Sequence, residues 1–199
     1  DTDLPHMLPK KEAWGKIMSS LGINNNDDIL IYDNSDLKSS CRLWFSLLYF
    51  GHDEKKIHIL NGGLKKWIFE NKPITKLTTE IIKSNYVTNE KENLVVSFDQ
   101  IKKNILSKSF NVIDARSLER FEGKVSEPRK GLRSGHIQNS FCLPFNQCIN
   151  QKTGEFKNLE ELRELFNQNE NIEKRLDPVF TCGSGAVSYT HLRAHETVH

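Results

Sequence analysis

Short apolar runs alternate with amphipathic helical patterns along this chain, and that alternation limits the fold more than any other feature of the sequence. The runs at residues 29–32, 57–60 and 178–181 are flanked by polar turn residues, as is typical of strands buried between helices. The apolar spacing from Pro9 to Leu21 predicts a helix before the first of them. We therefore expect an α/β fold built from parallel sheets flanked by helices.

Further helices and strands follow the same pattern. Apolar residues from Cys41 to Tyr49 share one helical face, and residues 64–70 predict a short helix after the turn at 62–63. In the second half, Ser97 with Gln100, and Asn158 with Glu161, form capping boxes that mark helix starts. Strands are expected at 112–113 and within the stretch 135–145.

The periodicity disappears between residues 71 and 93, where Lys, Thr, Asn and Glu dominate. This composition predicts a linker between two domains. We place a partial first domain at residues 1–70 and a partial second domain at residues 94–185.

The two halves resemble copies of one unit. Leu8-Pro9, a helical stripe and an apolar strand lead to Asp33, and Leu143-Pro144 with the same succession leads to Cys182. The first copy lacks a counterpart of residues 97–142 and the second lacks one of residues 41–70. Because both gaps remove strands and helices from a sheet, we expect both domains to be incomplete.

Composition excludes several function classes. The chain has 28 Lys and Arg against 26 Asp and Glu, a formal net charge of +2, which argues against nucleic-acid and polybasic membrane partners. The longest apolar run, residues 44–50, is too short to cross a bilayer. The four cysteines include no C-x-x-C pair, and His191 with His195 matches no zinc motif, so we expect no disulfide framework, metal or organic cofactor.

Cys182 is the candidate nucleophile. It directly follows the strand expected at 178–181 and begins the stretch Cys182-Gly183-Ser184-Gly185, at the strand end where α/β sheets usually bind ligands. Glycines let backbone N–H groups surround an anion, and a following helix would further lower the thiol pKa. The alternative is a small buried apolar residue. The spacing argues against a cysteine phosphatase, because position 188 is Ser188 where the phosphatase loop needs arginine.

Several ordered motifs carry a family resemblance. They are Leu4-Pro5-His6-Met7-Leu8-Pro9, Leu60-Asn61-Gly62-Gly63 with Trp67, Asp114-Ala115-Arg116, Arg120-Phe121-Glu122-Gly123, Glu127-Pro128-Arg129, Ser134-Gly135-His136-Ile137, Pro144-Phe145 and Cys182-Gly183-Ser184-Gly185. Together they resemble the two-domain rhodanese-type sulfurtransferases, and within these the 3-mercaptopyruvate sulfurtransferases. The resemblance implies tandem rhodanese-like domains, an inactive first copy and an active second copy.

Catalytic and substrate-binding roles follow from the resemblance. Cys182 would attack the sulfur of 3-mercaptopyruvate and carry it as a persulfide, in a loop to which Gly183 and Gly185 contribute. Arg120 and Arg129 match the family arginines that hold the substrate carboxylate and keto group, a task suited to guanidinium. Without the motifs around them, these arginines would be read as surface charges.

Other positions receive secondary roles. Ser184 stands where thiosulfate-specific rhodaneses carry a cation, which favours mercaptopyruvate over dianionic thiosulfate. His6 matches a family histidine linked to proton handling, although a lone histidine beside a proline turn is more often structural. Asp114 and Arg116 are expected to form a structural pair, and Asp33 cannot replace a thiolate.

The tail departs from the family. Residues 186–199 resemble sequence translated from a cloning or sequencing adapter more than a rhodanese. We therefore expect a chain truncated at both ends, with foreign sequence in the helix behind Cys182 and the family's acidic partner of Ser184 upstream of Asp1. Such a chain is expected to express poorly or aggregate, and the motifs predict the function of the complete protein better than that of this polypeptide.

The sequence thus predicts a sulfurtransferase that passes sulfur from 3-mercaptopyruvate to a thiol, a thioredoxin-like protein or cyanide. The alternatives are a thiosulfate:cyanide sulfurtransferase and a catalytically silent rhodanese-like binding module. The expected compartment is the cytoplasm or the mitochondrion.

Overall fold

The computed structural model describes residues 6–36, 38–168 and 172–198, without the side chains of 197 and 198. The chain divides into two compact units, Asp1–Val95 and Val96–His199. The domain and linker limits expected from the sequence stay predictions.

The first unit alternates helices with two parallel strands. Its elements are α1 (Lys11–Ser20), β1 (Ile29–Ile31), α2 (Ser39–Tyr49), β2 (Ile57–Ile59) and α3 (Gly63–Phe69), with 3-10 turns at Glu54–Lys56 and Glu92–Leu94. Strand β1 pairs with β2 with Ile29 opposite Ile57. Each predicted helix and strand of this unit is present within a few residues of its expected limits.

The core of the first unit lies on α2. Its inward side chains Cys41, Trp44, Phe45, Leu47 and Leu48 are buried, and Phe50 just beyond the helix stacks on Trp14 of α1 with ring centroids 4.9 Å apart. The strand at 29–32 was expected to be buried, but only one of its faces is covered. Ile31 is buried, but Leu30 and Tyr32 are each 59% exposed, because successive side chains point to opposite faces of a strand.

The segment expected as a linker is bound to the first unit. Ser84 donates its backbone N–H to the Ser19 carbonyl oxygen at 3.0 Å, and the N–H of Tyr86 donates to Ser19 Oγ at 2.9 Å. The Tyr86 ring is buried, with its hydroxyl 3.1 Å from Nδ1 of His52. Part of this segment therefore completes the core of the first unit.

The second unit contains a three-stranded parallel sheet. Its elements are α4 (Phe98–Ser107), β3 (Asn111–Asp114), α5 (Leu118–Phe121), β4 (Ser140–Cys142), α6 (Leu159–Asn167), β5 (Pro178–Thr181) and α7 (Ser188–Val198), with a 3-10 turn at Phe145–Cys148. The strand order is β4-β3-β5. Asp114, Cys142 and Thr181 share one register position, so the carboxyl ends of all three strands meet at one edge.

Local sequence signals explain the second unit's helices. Both predicted capping boxes are confirmed, since Ser97 and Gln100 cap α4 and Asn158 and Glu161 cap α6 reciprocally. The apolar face of α6 packs through Leu162 and Leu165 into a core with Ile113, Leu143, Cys148 and Ala194. This core supports the strands that end at the site.

The tail forms a helix that packs on the second unit. Helix α7 contacts α6 and β5, and Ala194 is fully buried. The helix also buries Thr190 and His191 completely, and neither the Thr190 hydroxyl nor either ring nitrogen of His191 makes a hydrogen bond. A polar residue buried without partners is unfavourable, so α7 fits this core at a cost in free energy.

Among the described residues, no helix has the length and apolar character needed to cross a membrane.

Candidate active site

Cys182 is the first residue after β5, at the edge where the three strands end. The chain then turns through Gly185, whose φ of 66° lies in the left-handed region that glycine adopts without strain. This turn directs the Gly185 N–H toward the sulfur, and it donates to Cys182 Sγ at 3.1 Å. The half-buried thiol thus lies in a backbone nest of the kind the glycines predicted.

Two opposing effects determine the pKa of Cys182. Partial burial raises the pKa of this thiol, while the backbone N–H groups of Val187 and Ser184 and the hydroxyl and N–H of Ser188 lower it, and the lowering prevails. Ser188 is the first residue of α7, so the positive end of that helix also faces the sulfur. The surroundings therefore favour the thiolate, which is the nucleophilic form.

The other cysteines have different surroundings. Cys41 and Cys148 are fully buried in the cores of their units. Burial, together with the Asp114 carboxylate, raises the pKa of Cys142 to about 11. Among the four cysteines, Cys182 therefore combines partial exposure with a lowered pKa.

Both predicted substrate arginines reach the residue after Cys182. Arg129 donates from Nη2 to the Gly183 carbonyl oxygen. A Cβ built at the same residue would lie 2.5 Å from Nη2 of Arg120. A side chain at position 183 would therefore displace the Arg120 guanidinium, whereas glycine lets that group approach the loop beside the thiol.

Glu127 links the arginines of the site, a role that the sequence did not reveal. Its carboxylate accepts from Arg120 Nε at 3.1 Å and Nη2 at 2.5 Å, and from Arg116 Nη1 at 2.9 Å. The Arg120 guanidinium, together with that of Arg116, holds the pKa of this carboxyl below its usual range. The sequence signal was Glu127-Pro128-Arg129, a carboxylate two residues before a substrate arginine, but nothing in it named the partners.

Asp114 and Arg116 form the structural pair that the sequence predicted. The guanidinium of Arg116 donates to both Asp114 carboxylate oxygens, with the shortest bond at 2.6 Å from Nη2. Nη2 of Arg116 also donates to the Gly135 carbonyl oxygen at 2.8 Å. This pair anchors the end of β3 to the loop that carries Glu127 and Arg129.

Ser184 and His6 have weaker structural support. Ser184 lies half-buried in the Cys182 loop, and its backbone N–H helps to lower the pKa of Cys182, whereas a role for its hydroxyl stays a prediction. His6 is exposed, with a φ of 63°, and belongs to the unit Asp1–Val95. The contacts of the second unit thus bring together Cys182 with both arginines and the loop residues, but do not include His6.

Asp33 in the first unit shows the same local architecture with a carboxylate. It follows β1 and precedes α2, and its Oδ2 accepts the Ser40 N–H at 2.6 Å, with the Ser39 hydroxyl at 3.4 Å. A fixed anion therefore faces a helix N-terminus, as the Cys182 thiolate does in the second unit. The carboxylate occupies the position of the nucleophile without being able to carry sulfur.

No cluster of three or more His, Cys, Asp or Glu suited to a metal ion occurs in the described ranges.

Comparison with known proteins identifies relatives over almost the whole chain. A model of the rhodanese-like domain matches residues 3–70. Thiosulfate/3-mercaptopyruvate sulfurtransferase 2 of Arabidopsis thaliana is 38% identical, with 94% of this chain and 60% of the relative aligned. The human 3-mercaptopyruvate sulfurtransferase is 33% identical over 92% of this chain and 61% of its own length. The chain thus spans about three fifths of these relatives.

Bacterial and fungal proteins extend the comparison. The 3-mercaptopyruvate sulfurtransferase of Escherichia coli strain K12 is 31% identical over 98% of this chain and 68% of its own length. The crystal structure of SseA from Escherichia coli, described as a 3-mercaptopyruvate sulfotransferase with the rhodanese fold, superposes with a TM-score of 0.87 at 28% identity, covering 99% of this chain and 72% of that one. Tum1 from Saccharomyces cerevisiae gives 0.88 at 26%, covering 99% and 69%. With this sequence likeness, the shared fold and the cysteine nest after β5, the chain belongs to the rhodanese-type sulfurtransferase family that includes the 3-mercaptopyruvate sulfurtransferases.

Proposed function

We propose that Cys182 is the nucleophile of a 3-mercaptopyruvate sulfurtransferase that carries sulfur as a cysteine persulfide. One observation supports this above all others. The Cys182 sulfur accepts the Gly185 N–H at 3.1 Å, while Arg129 donates to the carbonyl of the neighbouring Gly183. A stabilised thiolate thus lies one residue from a cation suited to an anionic substrate.

The reaction proceeds by displacement at sulfur. The Cys182 thiolate attacks the thiol sulfur of 3-mercaptopyruvate, a new S–S bond forms, and the C–S bond breaks. Its electron pair passes to the methylene carbon as the enolate of pyruvate, which takes up a proton to become pyruvate. The persulfide Cys182–S–SH remains on the protein, and the same amide donors can then stabilise its anion.

The arginines orient the donor. Arg120 and Arg129 bind the carboxylate and the keto oxygen, which places the substrate sulfur toward Cys182 and converts the attack into an intramolecular step. The Ser184 hydroxyl interacts with the substrate thiol, and Gly183 and Gly185 shape the loop. His6 takes part in proton handling.

The sulfur leaves by a second displacement. A thiol acceptor, such as a thioredoxin-like protein, attacks as its thiolate on the outer persulfide sulfur and restores the Cys182 thiolate. Cyanide reacts at the same atom, giving thiocyanate and a proton. The proposed compartment is the cytoplasm or the mitochondrion, and one Arabidopsis thaliana relative is named as mitochondrial.

Thiosulfate is the second candidate donor. The thiosulfate sulfurtransferase of Rattus norvegicus is 32% identical, with 94% of this chain and 64% of that protein aligned, and the Arabidopsis thaliana relative carries both donors in its name. The guanidinium groups near Cys182 could also bind a dianion. Ser184 supports mercaptopyruvate as the better donor, because it adds no positive charge.

Pyruvate release from 3-mercaptopyruvate by the full chain tests the proposal, with Cys182→Ser as the inactive variant and Cys142→Ser as the matched control. We expect release from the unsubstituted chain and from the control, and mass spectrometry of both should find one added sulfur atom on Cys182. Equal pyruvate release with and without Cys182 would contradict the assignment. Turnover with thiosulfate in place of mercaptopyruvate decides between the two donors.

A further inference from the structure

The Glu127 carboxylate is buried against two arginines of the site, Arg116 and Arg120. Its side chain is only 4% exposed. Oε2 accepts from Arg120 Nη2 at 2.5 Å, and Oε1 accepts from both Arg120 Nε at 3.1 Å and Arg116 Nη1 at 2.9 Å. Two bonds to one guanidinium restrict its position and its plane.

The same carboxylate determines how much positive charge the site presents. Arg116 is compensated by Asp114, with which it shares three hydrogen bonds. Arg120 is compensated by Glu127. Within the part of the chain that the structure describes, no carboxylate lies within ion-pair distance of the Arg129 guanidinium. Three guanidinium groups therefore face two carboxylates and the Cys182 thiolate, and Arg129 is the arginine of the three without a carboxylate partner among the described residues.

We propose that Glu127 is a positioning residue that also determines donor selectivity, by compensating Arg120 so that the site accepts a monoanion in preference to a dianion. The inference rests on the proposed function and deepens it. A 3-mercaptopyruvate molecule brings one negative charge through its carboxylate, which matches the single charge on Arg129. Thiosulfate brings two, and its second charge meets a guanidinium already paired with Glu127.

The charge balance separates the two donors because Coulomb energy grows with the product of the charges. Removing the Glu127 charge adds one positive charge to the site, and a dianion gains from it twice as much as a monoanion does. Loss of Arg120 orientation acts differently, since it weakens the binding of both donors together. The ratio of the two kcat/KM values therefore measures the effect of the Glu127 charge. A decrease shared by both values measures the loss of Arg120 orientation.

Glu127→Gln in the full chain is the test, with kcat and KM measured for both donors. We expect the ratio of kcat/KM for thiosulfate to that for mercaptopyruvate to rise roughly tenfold, while mercaptopyruvate KM rises. Glu122→Gln is the matched control, because this substitution also removes one negative charge. Glu122 pairs with the exposed Lys124 and does not pair with Arg116 or Arg120. An unchanged ratio in Glu127→Gln, or an equal rise in both variants, would overturn the inference.

Glu127→Asp separates the effect of the carboxylate charge from the positioning of Arg120. It also provides the test if Glu127→Gln does not fold. Aspartate keeps the charge but is one methylene too short to make all three bonds. We expect the donor ratio to stay within about twofold of the unsubstituted chain while mercaptopyruvate KM rises. A ratio that shifts toward thiosulfate with the charge retained would contradict the proposal.

The two proposals fail in distinguishable ways. If the unsubstituted chain forms the Cys182 persulfide but its donor ratio does not respond to Glu127→Gln, the sulfurtransferase assignment stands and the role of Glu127 is wrong. If no sulfur from either donor reaches Cys182, the assignment and the inference that rests on it are both wrong.

Discussion

Arg129 donates a hydrogen bond from Nη2 to the backbone carbonyl of Gly183, the residue that follows Cys182. The bond holds a guanidinium beside the proposed nucleophile, although the two residues are far apart in the sequence. It also orients the peptide that leads into the loop whose N–H groups surround the sulfur. The arginine therefore serves both the loop and the proposed substrate.

Arg129→Lys should impair donor binding more than chemistry. Lysine keeps the charge but lacks the planar fork, so it cannot bond the Gly183 carbonyl and a substrate oxygen in fixed directions. We expect mercaptopyruvate KM to rise roughly tenfold to a hundredfold, with a smaller change in kcat. Arg133→Lys, at an exposed arginine of the same loop, is the control and should leave both parameters unchanged. A normal KM in Arg129→Lys would remove Arg129 from the binding site.

The Cys182 thiol should ionise below the ordinary cysteine pKa. Since its folded pKa is depressed, its alkylation midpoint should lie at a lower pH than that of an unfolded cysteine, and the rate should fall as the pH drops through that midpoint. The stability contributed by the thiolate is fully present above the unfolded pKa and is lost as the pH falls through the folded pKa. Ser188→Ala removes one donor to the sulfur and should shift the alkylation midpoint upward. The measurement is iodoacetamide labelling against pH, followed by mass spectrometry at each cysteine.

Cys142 provides the internal reference for that experiment. Its pKa is raised to about 11, so its labelling at neutral pH should be far slower than that of Cys182. A midpoint for Cys182 equal to that of the urea-unfolded chain would show that the nest does not act on the thiol.

Gly183→Ala should displace Arg120 while leaving the fold intact. The new methyl group would meet Nη2 of Arg120 at 2.5 Å, and the end of a long side chain can move aside. Because Arg120 is then out of place, we expect kcat/KM for mercaptopyruvate to fall roughly tenfold to a hundredfold. Thermal unfolding should change little. A large loss of stability with normal kinetics would mean that Gly183 serves the backbone only.

His191→Leu should stabilise the second unit, most strongly in acid. His191 is fully buried without a hydrogen bond. Burial lowers its pKa to about 4, and the smaller effects of the Leu143 backbone and the Asp114 carboxylate oppose this shift. The unfolded ring takes up a proton near pH 6.5, so stability is lost as the pH falls from there toward 4. The loss amounts to about 3 kcal/mol below pH 4.

Urea unfolding of the unsubstituted and His191→Leu chains between pH 4 and 8 measures this effect. The leucine variant should lack the acid-dependent loss and be more stable by about 1–3 kcal/mol at pH 7, because no unpaired ring nitrogens remain buried. His58→Leu is the control, since the His58 side chain is 52% exposed. Parallel pH curves for the unsubstituted and His191→Leu chains would contradict the prediction.

The local patterns of the sequence predicted most of the secondary structure. Strand β5 occupies residues 178–181 as expected, and both capping boxes form. These features depend on interactions between residues a few positions apart, which the order of amino acids displays directly. The position of Cys182 after β5 belongs to the same class of information.

The burial of side chains in β1 and α7 could not be predicted from residue type. Leu30 is apolar but exposed, because apolar character does not decide which face of a strand is covered. His191 is polar but buried, because its helix packs on α6 and β5 and its position on the helix places it inward. Neither outcome is visible in the residue type.

The sequence by itself determined the α/β alternation, the helix caps and the glycine-flanked thiol after a strand, because each arises within one short segment. Only the tertiary structure decided that Glu127 binds both Arg116 and Arg120 and that Arg129 reaches Gly183. The latter contact joins residues 54 positions apart. It forms because parallel strands bring their carboxyl ends, and the loops that follow them, to one edge of the sheet.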